Sequence, residues 1–180
     1  PPAPSPLATP GQDLEIPEGL DRATADALRL ALNALRPPVP PGAMTRDMRR
    51  LWHQMATSGL RSLPGIVADA PEGSRARVRD FVVERLAGLV GQGPFSRPAL
   101  DAGIALAEQG ALGLGPLVTA ARKAGLGDDD SAAAALAFLG SLEEPDATVG
   151  AAISALADDA DRPLHLRVLA RAWLRDHPAR

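Results

Sequence analysis

The chain has 180 residues and a formal net charge of −3, enough for one domain with its own core. Ala and Leu supply 61 positions while Val, Ile and Thr together supply 19 and aromatics only five, which argues against an all-β fold. There is no cysteine, so disulfides, thiol nucleophiles and cysteine zinc sites are excluded, and no apolar run approaches the roughly 20 residues of a membrane span.

Residues 1–19 hold six prolines and no helical apolar period. They predict an extended, disordered Pro-rich leader or tether with a reach on the order of 60 Å. A tether of this composition often follows a removed signal peptide or an N-terminal anchor, which favours a periplasmic or exported location; a linker within a cytoplasmic protein is the alternative. Residues 20–42 then predict a first helix, capped by Asp21 or Thr24 and running to about Leu35, and a proline-rich hinge at Pro37–Pro41.

From residue 43 to 180 the pattern is that of a helical-repeat domain. Thr45 opens a second helix to about Thr57, followed by a short helix near Ser62–Ala70. Ser74 is the expected cap of a long helix to Val90, with Val78, Phe81, Val82, Leu86 and Leu89 on its apolar face. Ser96, with Pro98 in the first turn, starts a helix to about Gln109, and a partner runs from Gly115 to Lys123. Asp129 or Asp130 caps the next, Asp146 another, and Asp161 with Pro163 opens the last, which carries Leu166, Leu169 and Trp173. About nine helices joined by short turns predict an all-α fold of antiparallel helix pairs.

A shift of 32 places Leu117 on Val149 and Ala121 on Ile153, and a further shift of 33 places Leu136 on Leu169. The stretches Gly73-Ser74-Arg75-Ala76-Arg77-Val78-Arg79 and Asp161-Arg162-Pro163-Leu164-His165-Leu166-Arg167, each leading into Ala-rich apolar positions, resemble short bacterial HEAT-like repeats. The first copy lacks the usual capping Asp, and the helix from Ser131 lacks the arginine. The resemblance implies an α-solenoid whose concave face binds a protein or peptide; an irregular right-handed bundle of the same helices is the alternative.

The most ordered charge pattern lies on the second helix. At 100° per residue, Met44, Met48, Leu51, Trp52 and Met55 fall on one side, expected to pack, and Arg46, Arg49, Arg50 and His53 on the other. Arginine forks bind carboxylates and phosphates in bidentate fashion, so this stripe is the candidate protein-binding site, for an acidic partner segment. Arg85 points to the apolar side of its helix, where its stem can pack and its head reach water or an acid. Arg167, Arg171 and Arg175 form a second row on the last helix, read as a solvated face.

Signals for catalysis are few. His53, His165 and His177 have no metal-ligand spacing, and Ser58 lacks the glycine context of a nucleophile elbow. Gly110–Gly115 has the wrong glycine order for a dinucleotide and reads as a turn. The runs Asp128-Asp129-Asp130 and Asp158-Asp159-Ala160-Asp161 lack the alternation of a calcium loop and read as helix caps. No catalytic residue, metal or cofactor is expected, and the absence of basic excess argues against nucleic acid. The expectation is a non-enzymatic adaptor or scaffold; a helical-repeat enzyme or lesion reader, and a structural part of an envelope assembly, are the alternatives.

Overall fold

A computed structural model describes residues 15–142 and 146–178 of the chain. Among them are eight α-helices and no strand: α1 (Arg22–Asn33), α2 (Arg46–Asp69), α3 (Glu72–Leu89), α4 (Ser96–Glu108), α5 (Gly115–Ala120), α6 (Asp129–Gly140), α7 (Ala147–Asp158) and α8 (Leu164–Asp176). Short 3-10 turns at Pro41–Ala43 and Gly93–Phe95 precede α2 and α4, and a π turn at Ala121–Gly125 continues α5.

The helices pack in an alternating order. α1 lies on α2, α2 on α4, α4 on α6 and α6 on α8, giving one row; α3 lies on α5 beside it, and α7 closes on α8. One core runs through the row and α3, from Leu28 and Leu32 in α1 through Leu60, Leu86, Leu100 and Leu139 to Ala170 and Trp173 in α8. α1 is thus part of the same core as the rest. Of the leader region, residues 1–14 lie outside the described residues; Ile16 and Leu20 rest against the core, and the Glu18 carbonyl accepts from Arg77 at 2.9 Å.

Three of the start signals act as read. The carboxylate of Asp21 accepts from the Thr24 amide at 3.0 Å, the Thr45 hydroxyl from Met48 at 3.2 Å, and Asp146 from Val149 at 2.9 Å. Others move. α3 begins at Glu72, so Ser74 lies inside the first turn and donates to the Pro71 carbonyl. α4 begins at Ser96 itself, whose hydroxyl accepts from the Gly91 amide. Asp128, the residue before the expected pair, caps α6.

The largest departure is α2. The expected break between Thr57 and Ser62 does not occur, and α2 runs 24 residues through Pro64, which is why there are eight helices and not nine. An internal proline removes one backbone bond and crowds the carbonyl four residues earlier. Here Leu60, Leu63 and Val67 are buried on both sides of it, and Gln109 donates to the Pro64 carbonyl at 3.0 Å. Gly59 lets α1 approach: a Cβ there would stand 2.4 Å from the Ala31 carbonyl oxygen. Core burial and this close crossing keep the helix continuous through two residues that disfavour helix in isolation.

Arginines tie the rows together across the loops. Arg79 on α3 donates to the carbonyls of Leu106, Gly110 and Leu112, capping the end of α4 and the loop after it. Burial pushes its guanidinium below the ordinary arginine value, with Asp80 opposing. Arg162, in the loop between α7 and α8, makes a corresponding contact to the start of α6, donating to the Leu126 and Gly127 carbonyls and pairing with Asp129 and Asp159. Each adds donors to carbonyls near a helix end, where the Leu106 carbonyl also accepts from the Gln109 amide.

The pairs α5 with α7 and α6 with α8 also show how far the internal shift holds. Leu117 with Val149 and Ala121 with Ile153 are buried pairs. On α8, however, Leu169 is exposed, while Leu166, Ala170 and Trp173 are buried. The buried phase of α8 therefore follows α6 at a shift of 34, one residue beyond the apparent one, pairing Leu136 with Ala170 and Leu139 with Trp173.

Candidate functional site

The site begins at the N-terminus of α2. Thr45 caps it, Asp47 sits in its first turn, and the Arg46, Arg49 and Arg50 side chains stand exposed on one face. That end carries the positive pole of the helix, so three guanidinium groups there add to a potential already favourable to anions. Their placement is unfavourable for α2 alone, and the Asp47 carboxylate is the only acid in its first turn.

His53 closes the stripe. It is half-buried, its ring 5.1 Å from Trp52 and 5.7 Å, edge-on, from Phe95, with Trp52 and Phe95 themselves 5.2 Å apart. His53 therefore leans on the aromatic seam between α2 and the turn before α4, instead of standing free opposite Trp52. Its fixed ring forms a base from which the arginines project.

An open groove of about 630 Å³ runs along this face, lined by Arg46, Arg49, Arg50, His53, Gln54, Thr57, Ser58 and Arg61. All four residues expected from the sequence are brought together in it. Arg61 was missed because the helix was expected to stop at Thr57; it follows Arg50 by 11 residues, three turns on and facing the same way. No carboxylate lines the groove, and Arg46, Arg49, Arg50 and Arg61 have no ion-pair or hydrogen-bond partner among the described residues. Elsewhere in the fold arginines are engaged: Arg29 with Asp26 at 3.1 Å, Arg75 with the Ala70 carbonyl, Arg79 and Arg162 as above.

The expected packing of the opposite side is only partly seen. Met44 is buried and Met48 and Trp52 half-buried, but Leu51 and Met55 are 58 % and 54 % exposed. α1 and the turn before α4 flank α2 without covering that strip.

The remaining candidates are accounted for locally. Arg85 lies 5.1 Å over the Phe81 ring, a cation–π contact that anchors its head at the surface. On α8, Arg171 donates to the Ala157 carbonyl and Arg175 pairs with Asp176, while Arg167 is half-buried. The carbonyls of Gly110 and Leu112 in the glycine loop are held by Arg79. Asp128 accepts from Asp130 and Ser131, and Asp159 from the Asp161 amide. His177 stacks on Trp173 at 4.3 Å, and His165 is exposed. No helix among the described residues is long and apolar enough to cross a membrane.

No protein-family model, curated protein or solved structure matches this chain.

Proposed function

We propose that this chain is a non-enzymatic scaffold of α-solenoid type, in the manner of HEAT-like repeats, that captures an acidic segment of another protein on Arg46, Arg49, Arg50 and His53. The observation that carries the reading is the set of unpartnered arginines gathered on one open groove, Arg61 included, in a fold whose other arginines are largely engaged. Guanidinium forks in this arrangement suit successive carboxylates on an extended or helical segment. The alternating order of helix contacts is the order in which stacked helix pairs bury a continuous core, which supports the solenoid part of the reading. The lesion-reader alternative draws less support, because Trp173 is only 8 % exposed and already stacked by His177, and Trp52 is half-buried against His53 and Phe95.

The test is fluorescence anisotropy with a labelled Glu-rich peptide against the wild type and the triple variant R46E/R49E/R50E. The reading expects a loss of about tenfold or more, with helicity by circular dichroism unchanged, since all three side chains are exposed. Equal binding by the two proteins overturns it.

A further inference from the structure

A second groove of about 650 Å³ lies between α1 and α2, immediately beside the arginine groove. Its floor is made of small residues, Ala27, Ala31, Ala34 and Gly59, and its rims carry Leu30 and Met55. Leu30 is 77 % exposed and Met55 54 %, unusual for large apolar side chains on adjacent rims of one trough. Gly59 keeps the floor low, because the space its Cβ would need is taken by the Ala31 carbonyl. Ser58 lines both grooves, so the apolar trough and the guanidinium row share one wall of α2.

From this juxtaposition we infer that the partner segment is an acidic amphipathic helix, its apolar face seated between α1 and α2 and its carboxylates turned over Ser58 toward Arg50 and Arg61. The inference rests on the reading of the arginine groove given above and adds the form of the ligand. Charge selects the occupant: the trough is apolar, its neighbour is cationic with no acid in its lining, and a helix with both faces complementary satisfies the two at once. The dimensions agree. Met55 to Ile66 spans about 17 Å of helix, three turns, which leaves room for apolar anchors at i, i+4 and i+7 of a helical ligand, a spread of about 10.5 Å. An extended acidic peptide would engage the arginines and leave the trough open.

The experiment uses two labelled synthetic peptides of equal composition. One places leucines at i, i+4 and i+7 with glutamates along one flank; the other is scrambled so that no apolar face forms. The chain's three methionines provide a second readout through their labelled methyl groups. The inference expects the amphipathic peptide to bind about tenfold tighter than the scrambled one, to shift the Met55 methyl and to leave buried Met44 unmoved. L30S/M55Q, at two exposed positions, should lose about tenfold for the amphipathic peptide and nothing for the scrambled one, while R46E/R49E/R50E weakens both. If the scrambled peptide binds as tightly and L30S/M55Q changes nothing, the helical ligand is wrong and the arginine reading stands. If neither peptide binds the wild type, both are wrong. Binding to phosphatidylglycerol vesicles without binding to either peptide also overturns the inference, in favour of a lipid surface.

Discussion

The guanidinium of Arg79 on α3 donates to the carbonyl of Leu106, at the end of α4, across 3.0 Å, and the same group holds two further carbonyls of the loop that follows. This one side chain joins the α3–α5 layer to the α4 row where α4 ends, giving the Leu106 carbonyl a second donor beside the Gln109 amide. Replacing it by methionine keeps the stem and removes the donors. R79M should cost roughly 2 kcal/mol, the scale of a hydrogen-bonded charged group, and lower the thermal midpoint by about 6 °C. R77M, which loses one exposed contact to Glu18, should change stability by less than about 0.5 kcal/mol. Urea unfolding of both variants checks the contrast.

Glycines inside the helices include two kinds, and substitution by alanine should separate them. A Cβ at Gly103 would lie 2.5 Å from a methyl of Leu117 and 3.1 Å from the Phe138 ring, and one at Gly59 would meet backbone of α1. G103A and G59A should each destabilise by about 1–3 kcal/mol through overpacking. Gly65 in α2 and Gly150 in α7 have nothing within 4 Å of the same position. G65A and G150A should stabilise by about 0.5–1 kcal/mol, because alanine loses less backbone freedom in a helix. Opposite signs in chemical unfolding are the expected result.

Two caps should register in the acid limb of stability. Asp21 is held below the ordinary carboxylate range by the Thr24 hydroxyl and amide, and Asp146 by the Thr148 hydroxyl and the Val149 amide. A carboxylate with a lowered folded-state value stabilises the fold above its unfolded value, and that contribution is lost as pH falls through the folded one. Asparagine caps without titrating. The difference in urea midpoint between wild type and D21N/D146N should therefore be steady near about pH 6 and shrink below about pH 4. A difference constant down to about pH 2.5 would show that these carboxylates do not carry the linkage.

The tryptophans report on the two ends of the row. Trp173 is buried against Gly140, whose Cβ position lies 3.0 Å from its indole nitrogen, and is stacked by His177; Trp52 is half-buried beside His53 and Phe95. With Trp52 alone, in W173F, acrylamide should quench more strongly than with Trp173 alone, in W52F. Equal quenching would place one of the two indoles incorrectly.

Much of this architecture is legible locally. Asp21, Thr45 and Asp146 announce helix starts because a cap acts within three residues, and the arginine stripe is visible because helical periodicity brings Arg46, Arg49, Arg50 and His53 to one side. What escapes is long-range. The passage of α2 through Pro64 depends on Gln109, 45 residues away, and on burial beside α4, so local propensity points to a break that packing removes. Arg61 is lost with that break. Nothing local assigns Arg79 and Arg162 their carbonyl partners, which lie 27 to 36 residues off. Leu51 and Met55 have core periodicity but no helix to meet, and a pattern cannot say which face finds a neighbour.

The central claim is that charge on α2 selects the partner, and a reciprocal exchange tests it most directly. Anisotropy would be measured for a Glu-rich peptide and its Lys-for-Glu counterpart against wild type and R46E/R49E/R50E. The account predicts that the wild type prefers the Glu peptide and the triple variant the Lys peptide, each by about tenfold or more at low salt, with both preferences fading as ionic strength rises. Binding of the Glu peptide to both proteins with the same affinity would contradict it.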